Sequence, residues 1–264
     1  MAISELAIVG KNAEIAEGVE IGPFAIIEDG VEIASKVKIW PHAYICSGTS
    51  IGEETQVHMG AVVGHIPQDL TFKGEKSYLK IGKRNIIREY ATIHRSAKEE
   101  ASTVIGDDCY IMALSHIGHD CQIGNNVILA NCALLAGHVV IEDYVFVSGN
   151  VVVHQFCRIG ELSLIGGFTG VNKDVPPYML VRGPSVVRGI NLIGLRRAKL
   201  SREIIDGIRQ AYKFLYMSDI NTAQAIEEIK KLKPSKELNH LVEFIQGSKR
   251  GICKYKYSDT DYFE

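Results

Sequence analysis

The 264-residue sequence predicts a parallel β-helix of triangular coils closed by a small α-helical cap. Three observations carry that expectation. Aliphatic residues recur at every sixth position, a small or β-branched residue follows four places after each, and beyond Asp174 the spacing becomes helical. A helix with 3.6 residues per turn would carry a six-residue repeat around all its faces, and a β-sandwich would space its turns irregularly. Period six suits a short strand followed by a corner. Three such sides make one coil of 18 residues, stacked on the next by parallel backbone hydrogen bonds, as in other solenoids.

The elements follow in order. The repeat opens at Val9 and runs through Ile15, Ile21, Ile27, Ile33, Ile39, Ile45, Ile51, Val57 and Val63. These point inward, while Ala13, Val19, Ala25, Val31, Val37 and Ala43 fit where the corner narrows the interior. Residues 64–80 (GHIPQDLTFKGEKSYLK) are polar and read as a loop thrown out from the prism. Phase returns at Ile81, Ile87 and Ile93, breaks at a second loop over 97–103 (AKEEAST), then runs from Ile105 to Val171. Such loops on rigid scaffolds often carry function. The repeat ends near Asp174, before Pro176-Pro177. Ser201–Met217 then places Ile204, Ile205, Ile208, Tyr212 and Leu215 at helical spacing. Segments 221–232 and 235–245 read the same way, with Ser201, Asn221 and Ser235 as N-caps and Pro234 between the last two. The tail KYKYSDTDYFE reads as loose. The chain thus divides into a β-helix over 1–190 and a helical domain over 191–264.

Composition narrows the class of function. The hydrophobic fraction is 46%, the charged fraction 23% and the net charge −2, an ordinary globular balance and no nucleic-acid magnet. No stretch approaches the ~20 apolar residues of a membrane span, and the N-terminus has no signal-peptide pattern, so a soluble, cytoplasmic protein is expected. The six cysteines (46, 109, 121, 132, 157 and 253) show no C-x-x-C spacing and read as reduced, mostly buried thiols.

The chemistry concentrates in S115-H-I-G-H-D-C-Q-I-G124. At an 18-residue step His119 stacks on Gly137 and Gly137 on Gln155, with His138 and His154 each one residue off those columns. One face of the prism therefore carries H116-I-G-H-D120, L135-A-G-H138 and V153-H-Q-F156. Histidine suits general-base work near neutral pH, and a carboxylate can hold one ring nitrogen protonated and free the other. Spacing does not decide whether Asp120 orients its own neighbour or another group. A zinc site remains open on residue type, although the close pair 116/119 lacks the five-residue spacing used by β-helix carbonic anhydrases. A non-catalytic scaffold also remains open. Cys121 and Cys132, at core phases, read as buried thiols rather than nucleophiles.

The motifs PQDL, IREYATIHR, SHIGHDC, LLAGHV, VVVHQFC, DVPPYM and N191-L-I-G-L-R-R197 give nearly the whole chain a resemblance to the UDP-N-acetylglucosamine O-acyltransferase family of hexapeptide-repeat acyltransferases. The resemblance implies an all-β left-handed parallel β-helix, a triangular prism, with an α-helical cap. It also implies transfer of a 3-hydroxyacyl chain from acyl carrier protein to the 3-position of a UDP-sugar, the first step of lipid A biosynthesis, by a homotrimer that needs no metal or other cofactor. The repeats begin within about ten residues, leaving no room for the uridine-binding domain of the sister N-acyltransferase.

By that resemblance His119 is the general base, Asp120 its polarising partner and the Gly137 N–H an oxyanion donor. His116 lies near the acyl 3-hydroxyl, and His138, His154 and Gln155 contact ligand. Gln68 and Asp69 reach the sugar nucleotide across a subunit boundary. Asn191 and Arg197 hold the nucleotide and the donor's phosphopantetheine, and Gly167 leaves an acyl groove open for a long chain. Arg196, Arg197, Lys199 and Arg202 make a basic rim for the acidic carrier protein. Two departures stand out, Thr71 where many members have lysine and Ile193 where many have glutamate. They leave both a 3-hydroxyl and a 3-amino acceptor open.

Overall fold

A computed structural model of the chain describes residues 2–255. The tail beyond Tyr255, expected to be loose, lies outside the described residues. Strands of mostly two residues form three parallel sheets, one per side of a left-handed triangular prism. Each strand pairs with the one a coil later: Glu20 with Lys38, Ile26 with Tyr44, Glu14 with Glu32. The step is 18 residues except at the two insertions, where Gln56 pairs with Ile86 and Ile86 with Tyr110, giving steps of 30 and 24. All three are multiples of six, so the aliphatic phase survives both loops.

The inward aliphatics are almost wholly buried. Ile27, Ile45, Ile87, Ile93, Ile111, Ile117, Leu129 and Leu135 are each 0–1% exposed. Each contributes roughly 1.5–3 kcal/mol relative to an exposed side chain. The corners repeat too. A residue with φ near +60° recurs every sixth position, as at Phe24, Lys36, His42, Glu54 and, further on, Asp120, Asn126, Cys132 and His138. That left-handed backbone conformation costs a non-glycine residue about 1–2 kcal/mol, which the regular coil packing offsets. The usual right-handed crossover arises when a twisted strand feeds a long connection. Two-residue strands joined by a single tight corner have neither, and the coil winds the other way.

The strand Val62–His65 runs to His65 and the next begins at Tyr78, so residues 66–77 lie outside the strands. The second excursion lies between the strands Thr92–His94 and Ser102–Ile105. The last coil closes differently: Met179–Arg182 pairs in parallel with Leu164–Ile165 and antiparallel with Val186–Ile190. Four helices follow, α1 (Leu192–Arg197), α2 (Arg202–Tyr216), α3 (Thr222–Lys230) and α4 (Lys236–Gln246). Ser201, Asn221 and Ser235 cap α2, α3 and α4, the Asn221 cap forming a full capping box with Gln224. α1 is a short helix that helical periodicity does not announce. No helix among the described residues is long and apolar enough to cross a membrane.

α4 and the turn after it dock on the prism through polar and ring contacts. His240 Nε2 lies 2.7 Å from Glu142 Oε2, the Arg158 guanidinium sits 4.1 Å above the Phe244 ring, and Ser248 Oγ donates to Asp174 Oδ2 at 2.7 Å.

Candidate functional site

Three consecutive coils of one sheet build the site. Strands His116–Ile117, Leu134–Leu135 and Val152–Val153 pair in the register His116 to Leu134 to Val152. Three residues on, at the corner, that register stacks His119, Gly137 and Gln155 in one column and Asp120, His138 and Phe156 in the next. The His138 N–H donates to the His119 carbonyl at 2.9 Å and the Phe156 N–H to the Gly137 carbonyl at 3.2 Å, locking the columns together.

In a regular strand His119 and Asp120 would point to opposite sides. Asp120 has φ 59°, and this left-handed corner breaks the alternation. Both side chains then reach each other, with His119 Nδ1 2.7 Å from Asp120 Oδ2. Asp120 therefore orients its own neighbour. Its carboxylate is 8% exposed and well supplied with donors. Ser96 Oγ donates to Oδ1 at 2.6 Å and the Ala97 N–H to Oδ2 at 3.2 Å, while the Asp120 N–H donates to Thr103 Oγ1 at 2.8 Å. Burial alone would raise the Asp120 carboxyl. The bonds from Ser96, His119 and Ala97, with His138 nearby, outweigh burial and hold it below the usual carboxylate range. An ionised carboxylate only accepts, so His119 Nδ1 carries the proton and a neutral ring has its lone pair at Nε2.

That Nε2 faces Gly137, where a Cβ would lie 2.6 Å away. The ring thus lies against bare backbone that any side chain would fill. The Gly137 N–H donates to no acceptor among the described residues. The same turn position one corner on is sealed: Lys83, Asp107 and Asn125 donate their N–H groups to Asp107, Asn125 and Asp143 side chains of the next coils, at 2.8, 2.8 and 2.7 Å. At Gly137 that ladder is missing, and an open donor stands beside an open imidazole acceptor.

Other histidines surround the pair. The His138 ring stands edge-on to His119 at 5.1 Å and stacks on Phe156 at 4.6 Å, with Nε2 3.7 Å from Asp120 Oδ2. Burial lowers its pKa despite Asp120. His116 Nδ1 meets Thr92 Oγ1 at 2.8 Å, and burial, with His94 and His119 nearby, pushes His116 down to about 4, so it is neutral near pH 7. His94, which sequence reasoning missed, is 5% exposed, lies 5.1 Å from the His116 ring and donates from Nδ1 to the Ile66 carbonyl at 2.5 Å. It pins the root of the 66–77 loop. Arg95 adds to the pin through its N–H to the His65 carbonyl at 3.1 Å, its Nη1 to the Ser47 carbonyl at 3.1 Å and the Phe72 ring at 6.0 Å.

The pinned loop folds toward the cleft of its own chain. Gln68 lines the cleft, and Asp69 Oδ2 stands 3.9 Å from His119 Nε2. Thr71, the residue that departs from the common lysine, donates both its N–H and Oγ1 to Asp69 Oδ1 at 2.8 Å. Those bonds lower the Asp69 carboxyl and leave Oδ2 toward the imidazole.

The cleft has a volume of about 330 Å³. His94, His116, His119, Gly137, Gln68 and Gln155 form its polar wall, and Leu134 and Val152, 40% and 52% exposed, form an apolar shelf beside it. Asp120, His138 and Asp69 adjoin through His119. His154, Gly167, Asn191 and Arg197 do not line this cleft. His154 is exposed, with Nδ1 3.1 Å from the Gln155 carbonyl. Gly167 sits on the prism edge before this sheet, where a Cβ would meet only the Gly149 carbonyl, at 3.4 Å. The Asn191 amide caps α1, accepting from the Gly194 N–H at 3.1 Å and donating to the Leu162 carbonyl at 2.7 Å. Arg197 is exposed at the end of α1. Four larger hollows lie elsewhere, of about 770 and 810 Å³ against the cap, and of about 470 Å³ between α1 and α2 and about 530 Å³ along Glu14, Glu32 and Ser50, the last two lined by no histidine. The first has Ser201 and Ser235 already used as helix caps and the second holds the docking pair His240 and Glu142, so the smaller cleft is the chemical one. Sequence spacing gave no sign that Ser96, on the second excursion, and Thr103, in the strand that follows it, reach Asp120.

A sequence profile described as UDP N-acetylglucosamine O-acyltransferase, domain 2, matches residues 174–253, and one for bacterial transferase hexapeptide repeats matches 102–137. A Trichlorobacter lovleyi protein named acyl-[acyl-carrier-protein]–UDP-N-acetylglucosamine O-acyltransferase is 50% identical over 96% of this chain and 100% of its own length. One of the same name from Thermodesulfovibrio yellowstonii is 46% identical over 96% and 99%. The solved UDP-N-acetylglucosamine acyltransferase of Bacteroides fragilis superposes with a TM-score of 0.91 at 41% identity, over 95% of this chain and 99% of that one. The matches span nearly the whole length of this chain and of its relatives, and the chain belongs to the UDP-N-acetylglucosamine O-acyltransferase family.

Proposed function

We propose that this chain transfers a 3-hydroxyacyl group from acyl carrier protein to the 3-position of UDP-N-acetylglucosamine, the first step of lipid A biosynthesis, with His119 as general base. The observation that carries the role of His119 is its ring held by Asp120 at Nδ1 (2.7 Å) with Nε2 open against Gly137. Nε2 takes the proton of the sugar 3-hydroxyl as its oxygen attacks the thioester carbonyl carbon. The Gly137 N–H receives the developing oxyanion, an interaction worth roughly 3 kcal/mol in comparable acyl transfers. Collapse of the tetrahedral intermediate breaks the C–S bond, and the leaving thiolate takes the proton from the imidazolium. No covalent enzyme intermediate is required.

The rest of the cleft suits this reading. The Leu134 and Val152 shelf offers the acyl chain an apolar bed, and His116, neutral and bonded to Thr92, can bond the acyl 3-hydroxyl. Gln68 and Asp69 meet the sugar, and Gln155, His138 and His154 complete the ligand contacts. Bare space at Gly167 fits a long chain. Arg196, Arg197, Lys199 and Arg202 fit an acidic carrier protein. The chain works as a homotrimer; Leu70, fully exposed on the 66–77 loop, and Phe24, Tyr90, Leu114 and Phe168, exposed along one prism edge, offer apolar surface for that assembly.

The test is acyl transfer from 3-hydroxyacyl carrier protein to UDP-N-acetylglucosamine by His119→Ala. A loss of about 10²–10⁴ in kcat is expected. Turnover within a fewfold of the parent would remove His119 from the role of base.

A further inference from the structure

His119, Asp120 and His138 are the only group of three metal-ligating side chains gathered among the described residues, with one ligand atom of each within 4.8 Å of the others. The geometry is close to what a four-coordinate cation requires. Zn–N and Zn–O bonds of about 2.0–2.2 Å place neighbouring ligand atoms about 3.3–3.5 Å apart around a tetrahedron. Asp120 Oδ2 lies 2.7 Å from His119 Nδ1 and 3.7 Å from His138 Nε2, bracketing that spacing. The three atoms lie within 4.8 Å of one another, so the two rings close by up to about 1.4 Å to share one ion. The carboxylate is already oriented by Ser96 Oγ on Oδ1 and the Ala97 N–H on Oδ2, the outer support that metal-binding carboxylates rely on. We propose that these three residues form a binding site for a borderline transition-metal cation such as Zn²⁺, and that its occupancy switches off the base.

The proton bookkeeping explains the inhibition. The cation takes the lone pair of His119 Nδ1, in place of the proton now shared with Asp120. A neutral imidazole has one proton, which moves to Nε2. That nitrogen becomes a donor and can no longer accept the proton of an attacking hydroxyl. Asp69 Oδ2, 3.9 Å away, is placed to accept from the new Nε2–H and favours this tautomer. His138 supplies Nε2 and keeps its proton on Nδ1. Asp120 is already ionised, so the site gains the ion and loses no proton. The cation occupies the Asp120 side of the ring, leaving the cleft on the Nε2 side open to substrate, so inhibition acts on turnover more than on sugar binding. The inhibition rests on the acyl-transfer reading; the binding does not.

The experiment uses the untagged full chain titrated with Co²⁺ and followed by visible absorption. One Co²⁺ per chain is expected, with d–d bands of a nitrogen–oxygen site and no sulfur-to-cobalt charge transfer, and Zn²⁺ should displace it. His138→Asn, whose side chain tolerates the left-handed corner, should lower the affinity at least about tenfold with the circular-dichroism melt retained. In the unaltered chain Zn²⁺ should shift the imidazole Cε1–H resonances of His119 and His138 and leave that of His240 in place. Absence of the bands, bands unchanged in folded His138→Asn, or His119 and His138 resonances that stay put would each overturn the site. In the transfer assay Zn²⁺ should inhibit, and a chelator should restore the rate. A chain that binds Co²⁺ here but transfers no acyl group would sink the function and keep the site; an active chain without the bands would do the reverse.

Discussion

At the scale of single residues, the corner before His138 leaves no room for a side chain. A methyl at Gly137 would meet the His119 ring at 2.6 Å, yet the backbone there lies outside the left-handed region, so the fold itself accepts alanine. Gly137→Ala is expected to cost about 10²-fold in kcat/KM by displacing the base, with little change in Tm. In a His119→Ala background the ring is gone, and the same substitution should cost far less. Equal penalties in both backgrounds, measured as kcat/KM of the two single variants and the double, would contradict the contact. The stacking of His119 on Gly137 and Gln155 was legible from the 18-residue step alone. The direction of Asp120 was not, because strand alternation gives the wrong answer at a corner with φ 59°. Ser96 was hidden for another reason: it belongs to an excursion, where the repeat assigns no position.

At the scale of elements, the steps of 30 and 24 residues explain why the hexad pattern could be followed through both loops, since each insertion is a whole number of sides. α1 escaped notice because a six-residue helix shows too little periodicity, and Asn191, which the resemblance assigns to ligand, has both ends of its amide engaged, the oxygen in capping that helix and the nitrogen on the Leu162 carbonyl of the prism. The docking of α4 carries a pH signature. The bond to Glu142 raises the His240 pKa above the ordinary 6.5 against the opposing effect of burial, with Glu161 and Glu243 adding to the rise. A raised folded value means the charged ring stabilises the fold fully below 6.5 and less as pH climbs through the folded pKa. Both partners are partly exposed, 30% and 24%, so the contribution is modest. His240→Ala should lower unfolding free energy by about 1 kcal/mol between the carboxylate range and pH 6.5, with the gap narrowing above it. Denaturant melts across pH measure this, and a gap that widens with rising pH would refute the pairing.

At the scale of the whole molecule, the site is a by-product of stacking. A short-sided coil with a left-handed residue at every corner carries residues a coil apart in sequence into columns a few ångströms apart. The prism was legible because each side obeys the same local rule, an inward aliphatic and a small residue at the corner. Its hand was not, because a six-residue spacing is the same for either winding; the resemblance gave it. The loop reaching its own chain's cleft was equally out of view, since His94 and Arg95 act on it from a coil beyond.

The central claim is that stacking aims His119 Nε2 at the hydroxyl that attacks. A co-crystal structure of the chain with UDP-N-acetylglucosamine measures this directly. The sugar 3-oxygen should lie about 2.6–3.2 Å from His119 Nε2, beside the Gly137 N–H. A sugar bound with its 3-oxygen against another titratable side chain, and His119 beyond reach, would contradict the account.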